Sequence, residues 1–285
     1  MRKSIPIVTI GVPVHNASRT LGAALESLIN QTFRDFILVI SDNASTDGTD
    51  MICREYAARD DRILYVRQKF NIGAERNFKF VFDHAHTEYF MWAAADDIRS
   101  LDFIANNISF LDANPDYLAS TSPVRFVGRE FNELAMGDGA IHEDSSCERI
   151  AKIFRCWHAN GRFYSIFRTD AVASWSYMNN SHFLGSDWTL IIHLASKGKL
   201  HRHSEGWVEL GVNGVSNSTD IFARYRKTWL DWILPFHKIS GDAFVHISSA
   251  SLWCKFRLML RLVILNGQAF RGQFFAMAQR RRASM

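Results

Sequence analysis

The chain has 285 residues, 47% of them hydrophobic and 22% charged, with a formal net charge of +4. This is ordinary globular composition, enough for one large domain or two small ones. No run of 18 uncharged apolar residues occurs, so no transmembrane helix is expected, and Met1-Arg2-Lys3-Ser4-Ile5-Pro6 lacks the apolar core of a signal peptide.

Ile7 to Val14 is rich in β-branched residues and reads as a first strand, with Pro13 marking its end because a proline cannot donate to a central ladder. Leu21, Ala24, Leu25 and Leu28 then repeat at helical spacing. Phe36 to Ile40 is a second strand, followed by the polar loop Ser41 to Thr49 and a helix to about Arg59. Ile63 to Val66 is a third strand, and Asn71-Ile72-Gly73 leads into a helix through Phe78, Val81 and Phe82. Arg76 sits in the first turn of that helix, where the helix dipole disfavours a cation, which points to an anionic partner.

Tyr89 to Ala95 is an apolar run that reads as a fourth strand and ends in Asp96 and Asp97. Adjacent carboxylates repel unless a cation neutralises them, and Mg²⁺ or Mn²⁺ is commonly held by one or two carboxylates plus phosphate oxygens. The competing reading is a cap for the helix beginning near Leu101. The order β-α-β-α-β-α-β implies a parallel sheet with right-handed crossovers, whose ligands sit at the carboxyl ends of the strands. A polar loop there suits a nucleotide, with Asp42 able to accept from a pyrimidine N–H. Neither G-x-G-x-x-G nor a P-loop is present, so phosphates bound here would need a metal to neutralise them.

Farther along, a helix over Phe103 to Leu111 precedes a strand or hairpin at Tyr117 to Val127 and a polar, mobile loop from Arg129 to Ser146. A helix at Arg149 to Trp157 and a strand at Arg162 to Arg168 follow, and Asp187 would open the helix carrying Leu190, Ile191 and Leu194. His201 and His203 alternate and could share a strand face, as a His-x-His metal pair would. Cys53, Cys147, Cys156 and Cys254 form no CxxC motif and suit reduced thiols.

Val12-Pro13-Val14-His15-Asn16, the block from Gln31-Thr32-Phe33 to Thr49, Asn71-Ile72-Gly73 with Arg76-Asn77, and Ala95-Asp96-Asp97 together resemble the family 2 glycosyltransferases, an inverting group with the GT-A fold. The likeness covers roughly residues 5–125, and Gly185-Ser186-Asp187-Trp188 is a weaker match to the family's catalytic-base motif. His15 departs from the commoner Tyr, and Ser186 from the commoner Glu. The resemblance implies an α/β, Rossmann-like, mostly parallel sheet flanked by helices, with a C-terminal helical extension. A catalytic domain would occupy 1–215 and a basic, aromatic-rich helical region 216–285. It also implies a nucleotide-diphosphate sugar donor, most often a uridine one, held by Pro13, Val14, Asn16, Asp42, Arg76 and Asp96. Mn²⁺ or Mg²⁺ would sit on Asp97 and Asp96, with Asp187 as general base. The acceptor would be a glycan or lipid-linked hydroxyl in cell-surface polysaccharide biosynthesis, in a cytoplasmic setting. The alternatives are a catalytically silent nucleotide-sugar binder or scaffold subunit, and a sugar-nucleotide pyrophosphorylase. The latter would want a glycine-rich basic loop after the first strand.

The charge is uneven: residues 221–285 carry +9 and the remainder −5. An acidic body with a basic tail suggests an anionic surface as partner, and no nucleic-acid-binding motif accompanies the charge. Tyr225, Trp229, Trp232 and Phe236 are spaced as one helical stripe, either packed on the body or in peripheral contact with the inner face of a membrane.

Overall fold

The computed structural model describes residues 6–176, 182–211 and 221–283, with side chains to residue 275. Strand β1 (Val8–Val14) is buried along its whole length, as its unbroken apolar and β-branched sequence requires of a central parallel strand. β2 (Phe36–Asp42) pairs with it in parallel, Val8 against Phe36 through Val14 against Asp42. β3 (Ile63–Arg67) and β4 (Tyr89–Trp92) complete the parallel part, with Gly11 of β1 opposite Trp92 of β4. The crossovers are helices α1 (Leu21–Ile29), α2 (Thr49–Arg59) and α3 (Ala74–Asp83). α3 lies close on β1: a Cβ at Gly11 would fall 2.6 Å from Val81 Cγ2, so glycine is needed for this approach.

β4 stops at Trp92, short of the expected strand. Ala93 N–H still donates to Gly11 O at 2.9 Å, but Ala94 and Ala95 leave the ladder, because alanine has little strand preference, and Asp96 and Asp97 fall in a turn closed by Asp97 N–H on Ala94 O. Ile98–Arg99 forms a separate short strand, β5. Helix α4 (Phe103–Ala113) begins after Asp102, so neither Asp96 nor Asp97 caps it. β6 (Tyr117–Thr121) and β7 (Val124–Phe126) are consecutive but enter different sheets, so they form no hairpin.

The segment expected to be a mobile loop contains α5 (Glu133–Met136). It is pinned by the fully buried Asp138, whose Oδ2 accepts from Val124 N–H at 2.8 Å and from Arg202 Nε at 3.0 Å. Helix α6 (Ser146–Ile153), a 3₁₀ turn (Gly161–Tyr164), β8 (Ile166–Arg168), α7 (Thr169–Ala173), α8 (Ser186–Lys197), β9 (Lys199–Arg202) and β10 (Val208–Leu210) follow. The main sheet runs β3-β2-β1-β4-β8-β6-β9, with β8 antiparallel to both neighbours, and the second sheet is β5-β10-β7. Strand order reverses between β1 and β4, and a crevice opens at their carboxyl ends.

The expected boundary at residue 215 lies outside the described residues. Beyond it, α9 (Ile221–Tyr225) and α10 (Trp229–Ile233) are separate, because Thr228 and Asp231 form a capping box that restarts the helix. The aromatic stripe is therefore split. Tyr225 borders the crevice, Phe236 is buried, Trp232 lies under Arg226, and Trp229 is exposed. α11 (His237–His246) and the long α12 (Leu252–Ala283) end the chain's described part.

Cys147 on α6 and Cys254 on α12 are paired as a disulfide, contrary to the expectation of reduced thiols. Their separation of 107 residues gave no local signal of it. His201 and His203 do share a face, but His201 stacks on Phe110 and His203 Nε2 lies 2.9 Å from Asn106 O. No group of three or more metal-ligating side chains forms among the described residues.

Candidate active site

Two loops build one wall of the crevice. Asn16, with φ of 51°, turns its N–H to Ser45 Oγ at 2.9 Å and accepts Thr46 N–H on Oδ1 at 2.9 Å. Asp47 accepts Ser18 N–H at 3.0 Å and Thr49 N–H at 3.1 Å, and its bond from the Thr49 hydroxyl leads the interactions that hold its carboxyl well below the ordinary range. Asn43 accepts Ile72 N–H at 2.8 Å and donates to Asn71 Oδ1 at 2.9 Å, so the polar loop after β2 also holds the turn into α3.

Asp42 lies beneath these loops and is fully buried. It accepts Ser45 N–H at 2.9 Å and the Tyr65 hydroxyl at 3.3 Å, with Arg67 Nε 3.8 Å away. Val14 is buried in β1, and Arg76 is exposed in the first turn of α3. Those three do not border the cavity, whereas Pro13, Asn16, Asp96, Asp97 and Asp187 all do. The cavity holds about 1140 Å³, large for a single small-molecule site.

The acidic turn forms its floor. Asp97 is 2% exposed; its Oδ1 accepts Gly211 N–H at 3.1 Å, and its Oδ2 is buried without a hydrogen-bond partner among the described residues. Burial pushes the Asp97 carboxyl up to about 6, with the Arg99 charge pulling the other way. Arg99 is itself buried under the turn, donating to Trp92 O at 3.1 Å. The Gly211 backbone packs directly against the Asp96 carboxylate, leaving no room for a side chain at 211. An orphaned, buried carboxylate oxygen beside a second carboxylate is a fit donor set for a hard divalent cation. The other ligands would have to come from a bound diphosphate and water.

Asp187 approaches from the first turn of α8, behind Gly185, whose φ is 75°. Asn160 Nδ2 donates to its Oδ2 at 2.9 Å. Burial raises the Asp187 carboxyl above its ordinary value, and the Asn160 bond opposes that rise. Tyr164 ties the two ends together. Burial, and then the charges of Asp97, Asp96 and Asp187, hold its phenol well above the usual range, so it stays a neutral hydroxyl among three acids. Aromatic rings pave the rest: Trp92 stacks on Phe163 at 5.0 Å, and His158 on Trp188 at 4.3 Å.

The family model for Glycosyl transferase family 2 matches residues 9–171. The chain belongs to glycosyltransferase family 2. It is 31% identical over 246 residues to the glycosyltransferase GlyA of Streptococcus pneumoniae, covering 76% of this chain and 34% of GlyA. To the GalNAc(5)-diNAcBac-PP-undecaprenol beta-1,3-glucosyltransferase of Campylobacter jejuni it is 26% identical over 203 residues, covering 70% and 63%. The chain thus spans from about a third to just under two thirds of the lengths of these relatives. Residues 1–349 of Staphylococcus aureus TarS in complex with UDP-GlcNAc superpose with a TM-score of 0.65 at 17% identity, covering 88% of this chain and 69% of that TarS portion. The mannosyltransferase PcManGT from Pyrobaculum calidifontis, in complex with GDP-Man and Mn²⁺, gives 0.57 at 19% identity, covering 99% and 80%. At such identities these likenesses establish the fold, which is GT-A.

Of the family-like blocks picked out in the sequence, Pro13, His15 and Asn16, Asp47, Ala95 to Asp97, and Gly185 to Trp188 line this crevice, whereas Gln31 to Phe33, Asn71 to Gly73, Arg76 and Asn77 do not. Asn160, Tyr164 and Gly211 were not picked out. Asn160 precedes and Tyr164 ends a 3₁₀ turn with no periodicity, and Gly211 merely follows a short strand.

Proposed function

We propose that the chain is an inverting, metal-dependent glycosyltransferase. It would move a sugar from a nucleotide-diphosphate sugar, a uridine one, to a hydroxyl of a glycan or lipid-linked acceptor in cell-surface polysaccharide biosynthesis. The observation that carries this reading is the convergence of Asp96, Asp97 and Asp187 on one aromatic-paved cavity of about 1140 Å³. The nucleoside end is assigned to Pro13 and Asn16 at the cavity wall, with Val14 and Asp42 bracing that wall from beneath; Arg76, exposed on α3 outside the cavity, would have to swing toward a bound nucleotide to meet it. A divalent ion, Mn²⁺ or Mg²⁺, on Asp97 and Asp96 would stabilise the charge that grows on the departing diphosphate.

Asp187 takes the proton from the acceptor hydroxyl as its oxygen attacks the anomeric carbon. The bond from that carbon to the phosphate oxygen breaks, its electron pair leaving with the nucleotide. A single displacement inverts the centre and needs no enzyme nucleophile. A carboxyl raised by burial is a stronger base once ionised, and a positioned general base contributes on the order of 10²–10⁴-fold. Asn160 keeps Oδ2 engaged and Tyr164 offers a neutral donor to sugar hydroxyls. The names of the Campylobacter relative and of the TarS complex support, respectively, a lipid-linked acceptor and a uridine nucleotide. A cytoplasmic setting at the inner face of a membrane belongs to the same reading.

The test is donor screening with uridine, guanosine and thymidine diphosphate sugars, Mn²⁺ and polyprenyl-diphosphate-linked sugars, scored by glycan product. Transfer from a uridine donor is expected, and Asp187→Asn should keep donor binding while losing transfer. A wild-type chain that binds donor but transfers to no acceptor would instead be a silent binding subunit.

A further inference from the structure

α12 is apolar on two sides. Leu258, Leu262, Leu265 and Ala269 are buried against the body of the protein. Polar bonds fix the helix there: Asn266 Oδ1 accepts Phe236 N–H at 2.9 Å, and Gln273 Nε2 donates to Trp232 O at 3.0 Å. The opposite side carries Trp253, Phe256, Leu260, Val263, Ile264 and Phe274, all exposed, Trp253 to 67% and Val263 to 62%. At 100° per residue these six fall within about 100° of the helix circumference and extend about 32 Å along it. Apolar side chains scattered singly on a surface are ordinary; five of these six run together over about 17 Å from Trp253 to Ile264, with Phe274 set apart beyond Gly267 and Arg271, and such a cluster marks an interaction surface.

The charge on the helix says what it meets. α12 contains no acidic residue over Leu252–Ala283. Arg257 and Arg271 are exposed; Arg257 falls about 20° outside the apolar stripe, and Arg271 falls on its line beyond Ile264, while Arg261 and Lys255 are turned to backbone carbonyls of Ala151 and Ser248. No described helix is long and apolar enough to cross a membrane. A helix with an apolar stripe, one cation beside it and another past its densest part fits a place in the plane of a bilayer surface. A second copy of the chain would set Arg257 and Arg271 against their own counterparts, with no carboxylate on either helix to oppose them.

We propose that this outer face of α12 docks onto an anionic lipid bilayer, with Trp253, Leu260 and Ile264 entering the interface and Arg257 and Arg271 meeting phosphate headgroups. This names the membrane partner in the functional reading above. It is tested without donor or acceptor, so its failure and that of the transfer chemistry are distinguishable.

The experiment is flotation of the full chain with phosphatidylcholine vesicles, with and without phosphatidylglycerol. Wild type should float with the anionic vesicles and largely remain behind with neutral ones, and salt should weaken the binding. Arg257→Gln with Arg271→Gln should weaken it about 25-fold, at roughly fivefold per charge. Trp253→Gln, Leu260→Gln and Ile264→Gln together should abolish flotation with the melting transition retained. If that triple variant fails to fold, the arginine pair decides. Three results would overturn the proposal: no flotation of wild type, equal binding to both vesicles with no effect of the arginine pair, or a solution dimer that the triple variant dissociates.

Discussion

Replacing Asn160 with alanine isolates the group that acts on the proposed base. Asn160 Nδ2 donates to Asp187 Oδ2 at 2.9 Å and so favours the ionised carboxylate. A hydrogen bond to a charged group contributes about 1.5–3 kcal/mol. Asp187 is half-buried and borders the cavity, so water replaces part of the lost bond and the low end applies. About 1.5 kcal/mol corresponds to about one pH unit. The neutral acid cannot accept a proton, so activity is lost on the acid side of its titration. Removing Asn160 moves that loss to higher pH. The assay is kcat for nucleotide diphosphate release against pH, with the donor KM measured in parallel. In Asn160→Ala the acid limb should rise by about one unit, with kcat nearly restored at high pH and the donor KM unchanged. Asp187→Asn should lose on the order of 10²–10⁴ in kcat, with the acid limb gone. An acid limb that stays in place while kcat drops equally at every pH would refute a role exerted through Asp187.

Two other consequences concern the scaffold. Gly11→Ala drives a Cβ into Val81 and Phe90 and should lower stability by about 1–3 kcal/mol in urea unfolding; an unchanged midpoint would mean that α3 is free to shift. Burial, helped by Lys197 and His246, pushes the His193 imidazole from 6.5 down to about 4. The folded state therefore resists its protonation. The associated stability is complete above about pH 6.5 and is lost as pH falls toward 4, by up to about 3 kcal/mol. His193→Gln should flatten that part of the urea-midpoint profile, and a profile of unchanged slope would contradict it.

The first half of the fold was legible because β1 and β2 are uninterrupted apolar runs and the polar loops after them hold one another through Asn16, Ser45 and Asp47. Asp96 and Asp97 were legible as a pair, but not their place in a turn: three alanines count as apolar in a pattern while giving a strand little support. The base end depended on β8 returning antiparallel beside β4, which carries Asn160 and Tyr164 into the crevice. That pairing joins residues about 80 apart and leaves no periodic trace. Arg129 to Ser146 looked loose because its anchor, Asp138, finds both of its partners elsewhere in the chain. In α12 the inner and outer faces are both apolar, so periodicity alone could not tell which one the fold covers.

Calorimetric titration of uridine diphosphate into the wild-type chain and Asp97→Asn, each with Mn²⁺ and with excess EDTA, tests the central claim most directly. Tight binding only for wild type with Mn²⁺ is the predicted result. Equal affinity in all four titrations would remove the acidic turn from the chemistry.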